Sequence, residues 1–183
     1  MKLLIVSWGL LVLLSADLVA ESPSCAELFD QIFENSMTLD YEDFDQTSGQ
    51  GFRVLAGAGC PREAADLIER YVQVTGATQR SLTWHLAQMR GEAGQIALAI
   101  EAAEASLDPK RSADEPFRWN AHVQAYLALL KGDRDQFDAH LQTLQAAADD
   151  HRGNAMNASF WERLAPHFEL GYAGALQAAY QQD

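Results

Sequence analysis

Apolar residues recur along this chain at steps of three and four, which predicts helices. Cys25, Leu28, Phe29, Ile32 and Phe33 trace one such face, a first amphipathic helix. Downstream the pattern repeats. Gly59, Gly91, Gly132 and Gly171 stand 32, 41 and 39 residues apart and read as turn markers. Five residues after each glycine comes Ala64, Ile96, Phe137 or Leu176, and nine after comes Ile68, Ile100, Leu141 or Tyr180. Leu82, Leu86 and Met89 precede Gly91 at the offsets at which Val123, Leu127 and Leu130 precede Gly132. The predicted unit is helix, glycine turn, helix, used about four times. Two polar stretches, 106–116 and 148–157, read as linkers. Units of this kind cannot bury their apolar faces alone, and stacking them gives one continuous core. The expected fold is an all-α, α-α superhelix; a plain helical bundle with accidental glycine turns is the competing architecture.

The N-terminus is a separate object. Met1 and Lys2 precede an apolar run from Leu3 to Leu14, shorter than the roughly 20 residues of a membrane span. Small Ala20 follows at a cleavage position, so residues 1–20 are assigned to a secretory signal peptide, against an uncleaved anchor. Residues 21–183 then form a single helical-repeat domain in the periplasm or outside the cell, with no stable membrane insertion. Export changes the meaning of the two cysteines, Cys25 and Cys60. In an oxidising compartment they most simply pair, closing a loop of about 36 residues for roughly 3–4 kcal/mol in the chain-entropy model. The formal net charge of −13 repels phosphate backbones and argues against nucleic acid, while a basic protein partner is compatible.

The stretch "RGEAGQIALAIEAAEASLDP" resembles the second half of a tetratricopeptide repeat, with a turn glycine, small or apolar helix residues and a following proline. "KGDRDQFDAHLQTL" is a weaker copy. "GFRVLAGAGCPREAADLIERY", "TWHLAQMRGEAGQIALAIEAAEASL" and "RWNAHVQAYLALLKGDRDQF" together resemble a tetratricopeptide-repeat-like family of exported bacterial helical-repeat proteins, over roughly 44–180. Trp84 departs from the repeat consensus, where that position is small. The resemblance implies a tetratricopeptide-like solenoid with a scaffold and binding role, and it carries no catalytic residues.

The candidate chemistry is thin. "GAGCPR" lacks the Gly-Lys-Ser/Thr of a phosphate loop, and no strand precedes it. Cys60 opens a helix, where a thiol can be activated, but Pro61 and Glu63 explain that start as a cap. No two of His85, His122, His140, His151 and His167 have metal-ligand spacing, so no metal and no cofactor is expected. Asp43, Asp45 and Thr47 sketch a calcium loop, but Ser48 replaces its glycine and Val54 its bidentate glutamate.

The best pointer is a face. In such solenoids the first helices line the concave surface. Registered on the turn glycines, that face carries Arg53, His85, Gln88, Trp119, His122, Tyr126 and Trp161. Aromatic and amide side chains in a groove suit peptide or glycan recognition; the alternative is that Trp119 and Trp161 belong to the core between repeats. The expected function is non-catalytic binding of a protein or peptide, with a basic partner compatible. An acidic inhibitor or immunity-type protein against a basic cell-wall hydrolase is the runner-up. An enzyme working in the groove is the third alternative.

Overall fold

The computed structural model describes residues 22–112 and 115–180. The signal peptide assigned to residues 1–20 lies outside them. Among the described residues the fold is all-helical, as expected, with no strand. The chain enters α1 (Cys25–Ser36) through a capping box: the Ser24 hydroxyl accepts from the Glu27 N–H, and the Glu27 carboxylate reaches back to the Ser24 N–H at 2.9 Å. A π-helical turn, Glu42–Gln46, leads to the short α2 (Phe52–Gly57). Between them Gly51 has φ +49°, and a Cβ there would stand 2.2 Å from the Phe44 carbonyl oxygen, so glycine is required. Helix α3 (Pro61–Thr75) starts on Pro61 and ends on left-handed Gly76. Then come α4 (Arg80–Glu92), α5 (Ile96–Ser106), α6 (Trp119–Lys131), α7 (Arg134–Ala146) and α8 (Arg152–Leu164). A 3₁₀ turn (Ala165–Leu170) leads into α9 (Gly171–Tyr180).

Three turns share one geometry. After Gly59, Gly94 and Gly132 (φ +74°, +71° and +70°), the next N–H closes onto a carbonyl five residues back. Cys60 bonds Leu55 at 2.9 Å, Gln95 bonds Arg90 at 2.8 Å and Asp133 bonds Ala128 at 2.8 Å. In each case the next helix begins two residues after the glycine. The second turn therefore falls at Gly94 and not at Gly91. With that correction the buried positions align: Ala64, Ala99 and Phe137 lie five residues after the glycine, and Ile68, Ala103 and Leu141 nine after. Ile96, expected in the core, is 38% exposed. Gly91 sits inside α4, where a Cβ would stand 2.1 Å from the Tyr126 hydroxyl and 2.9 Å from the Tyr172 ring. It is a close-approach glycine; Gly94, three residues later, carries the turn.

The turn at Gly171 departs from this pattern. Gly171 joins the 3₁₀ turn to α9 with φ +67° and ψ 177°, a different geometry, and Tyr180 is half exposed beneath Arg163. The expected linker at 148–157 is helical from Arg152 onward. There the His151 ring caps the Gly153 N–H at 3.0 Å, and buried Asn154 ties both loops together. Its amide donates to the Pro116 and Ala147 carbonyls at 2.7 Å each, while its oxygen accepts from the Arg118 N–H at 2.8 Å.

Packing is mainly between helices adjacent in sequence; in addition α1 packs on α3, α6 on α8, and α9 folds back against α4 and α6. The core has two clusters. One gathers Phe44, Phe52, Leu67, Ile68 and Tyr71 under α1; the other gathers Trp84, Tyr126, Phe137, Trp161 and Phe168. They meet in α4, which gives Leu82 and Met89 to the first and Trp84 and Ala87 to the second.

Candidate functional site

The residues expected on a concave face separate into two places. Trp119, His122 and Tyr126 gather around Trp84, and Trp161 packs against His122 and Tyr126. The Trp84 ring lies 5.7 Å from Trp119, 4.7 Å from His122 and 5.2 Å from Tyr126. His122, Tyr126 and Trp161 are buried, and their polar atoms are used internally. The Tyr126 hydroxyl donates to the Ala87 carbonyl at 2.6 Å, and the Trp161 indole donates to His122 Nδ1 at 2.9 Å. Partly buried Trp119 donates to the Ser106 carbonyl at 2.8 Å. Burial pushes the His122 imidazole down to about 3, so it is neutral at any ordinary pH. Trp161 and its neighbours thus stand where the inter-repeat core was the alternative. Tyr172 of α9 packs edge-on against Tyr126 at 4.7 Å and meets Gln88 through a side-chain hydrogen bond. Glu92 lies beside these tyrosines, and burial pushes its carboxyl up to about 7.

His85 and Arg53 meet elsewhere, on Asp45. The Asp45 side chain is fully buried and His85 Nδ1 lies 2.7 Å from its Oδ1. Gln46 and Ser81 also bond this carboxylate, Tyr41 meets Ser81 at 2.7 Å, and Arg53 Nε donates to the Asp45 backbone carbonyl at 2.6 Å. Burial pushes the Asp45 carboxyl up, but the hydrogen bond and charge of His85, helped by Gln46 and Ser81, outweigh it and hold it below the usual range. An aspartate on Nδ1 orients an imidazole for base work at Nε2. Here the serine sits on the aspartate side, so the nucleophile–histidine–aspartate order of a hydrolase is not formed. The network instead fixes the π turn to α4.

A third place was not anticipated. The Cys25–Cys60 disulfide, expected from export, is present and lays α1 along α3. Between these helices runs an open groove of about 880 Å³. Phe29 and Phe33, with ring centroids 5.5 Å apart, and Val74, 63% exposed, supply its apolar surface. Asp30 and Glu34 of α1 and Asp66 and Glu69 of α3 line it with carboxylates. Buried Arg90 binds Asp66 and Glu69 from the α4 side, each at 2.8 Å, and so sets their orientation while both stay substantially exposed. Asp30 and Glu34 stand four apart on one helix, a like-charge spacing that weakens an isolated helix. That spacing, with the carboxylates of α3, was the available sequence signal. Such a groove can take apolar area and cations together. The three-residue metal-type cluster of Cys25, Cys60 and Glu63 contains the disulfide, so its sulfurs are already bonded to each other. Among the described residues no helix is long and apolar enough to cross a membrane. The disulfide and this observation are compatible with an extracytoplasmic address.

No family model, no curated protein and no solved structure matches this chain.

Proposed function

We propose that this protein is a non-catalytic, periplasmic protein-binding module of tetratricopeptide-like repeats, and that it holds a basic amphipathic segment of its partner in the groove between α1 and α3. The groove carries the reading. It pairs the partly exposed rings of Phe29 and Phe33 with four carboxylates, set against one cation, Arg70, in a chain of net charge −13. Desolvated cation–carboxylate pairs over apolar area give both steering and affinity. The three equivalent glycine turns support the repeat architecture, and the disulfide suits an exported chain. The same charge favours a second reading, an acidic inhibitor of a basic cell-wall hydrolase. The two differ in whether the captured protein loses activity when bound.

The test is capture from periplasmic extract by the mature chain and by an Asp30→Lys/Glu34→Lys variant. One basic protein, released by salt and lost from the variant, is the expected result. Equal capture by both chains, or capture of nothing, contradicts the proposal.

A further inference from the structure

A second groove, of about 610 Å³, opens where the loop after α5 meets the start of α6 and the end of α7. It shares no lining residue with the α1–α3 groove. Phe117 and the small side chains of Ala121, Ala146 and Ala147 give it apolar walls. Two guanidiniums border it. Arg111 is committed: it donates to the Phe117 carbonyl at 2.9 Å and pairs with Glu115 at 3.0 Å. Arg118 is not. Its side chain is only 24% exposed, yet its one charged partner among the described residues is Asp150, at 4.0 Å. At that distance the pair is not hydrogen-bonded, so the guanidinium, still reached by solvent, is open to a closer anionic partner. Arg118 is also the N-cap residue of α6, where no side chain caps the first turn, so the helix adds positive potential at the same end.

We propose that this groove binds a carboxylate carried on an apolar body. Arg118 pairs with the carboxylate, Phe117 and the alanines receive the body, and the exposed Gln124 amide, one turn further along α6, offers a polar contact at the rim. Two sources supply that chemistry: a small organic acid, or the free C-terminus of a peptide. Asp150 competes for the same guanidinium, which gives the proposal a distinctive sign. Removing Arg118 weakens binding, whereas neutralising Asp150 strengthens it.

The experiment is calorimetric or NMR titration of the mature chain with N-acetyl-phenylalanine, its carboxamide, and a Gly-Gly-Phe tripeptide with free or amidated C-terminus. Both free acids are expected to bind and both amides to fail. Binding of the small acid alone, or of the tripeptide alone, assigns the source. Arg118→Gln should cost about tenfold or more in affinity at an unchanged melting temperature. Asp150→Asn should tighten binding. The proposal is overturned if acid and amide bind alike, if no probe binds, or if Asp150→Asn fails to strengthen the complex. Arg118→Gln should leave capture of a basic partner by the α1–α3 groove intact, so failure of one site is distinguishable from failure of the other.

Discussion

Residues 22–79 pack a 12-residue helix, a five-residue π turn and a six-residue helix onto α3. Residues 80–180 are built mainly from helices of ten to thirteen residues. The short pieces bury little area each, and α1 keeps one fully buried residue, Ser36. They are held by the disulfide, by the Asp45 hydrogen bonds and by the stacked Phe44–Tyr71 pair, 3.7 Å apart. The longer helices interlock through aromatic rings and need no covalent tie. Charge follows the same division. The first segment carries ten Asp and Glu against three Arg; the second carries thirteen against nine Lys and Arg. A segment tied covalently can tolerate self-repulsion and present an acidic face. The segment that depends on packing keeps its charges closer to balance.

The comparison is broken most severely by removing a central ring. Trp161→Ala should cost about 3–5 kcal/mol by leaving a cavity between Phe137, His122 and Tyr126. Hydrogen exchange should show α6–α8 opening first. Acid comes next. His122 is held neutral down to about pH 3 while the unfolded chain takes up its proton near 6.5, so stability falls as the pH drops through that window. The full window is worth on the order of 5 kcal/mol. Glu92 acts in the opposite sense: its contribution is full below about pH 4.5 and is lost as the pH rises toward 7. Melting temperatures across pH 3–8 for His122→Asn and Glu92→Gln should flatten the acid and the neutral limb, respectively. Both effects belong to the second segment.

Reducing the disulfide, or changing both cysteines to serine, should cost about 3–4 kcal/mol. In contrast to Trp161→Ala, the first amides to exchange should be those of α1. Protection lost equally from α6–α8 would mean the two segments are one cooperative unit. The smallest effect distinguishes two glycines. Gly91→Ala should cost about 1–3 kcal/mol, since the Tyr126 hydroxyl and Tyr172 must move. Gly94→Ala, strained but in open space, should cost about 1 kcal/mol. Denaturant midpoints measure both.

The helices, most of the turns and the disulfide partners were legible because helical periodicity, left-handed glycines and an even cysteine count are local signals. The position of the second turn was not. Gly91 and Gly94 are both glycines, and only the tertiary approach of Tyr126 tells packing from turning. The site was less legible still. Helix-face geometry places His122, Tyr126 and Trp161 together correctly, but whether that face is open depends on α9 folding back, a contact between residues far apart in the chain. Asp45 stands in an acidic run that carries no local sign of burial; its burial follows from His85, 40 residues away. The α1–α3 groove needs the disulfide geometry before its two acidic helices can be seen as neighbours.

The central claim is that the acidic, covalently clipped segment is the docking face. The most direct measurement is amide chemical-shift mapping of residues 21–183 titrated with a synthetic Lys-Leu amphipathic helix at low and high salt. The account predicts salt-sensitive shifts concentrated on α1 and α3 around Phe29, Asp30, Phe33, Glu34 and Glu69. Shifts centred on α6–α8, or spread evenly over the surface, would contradict it.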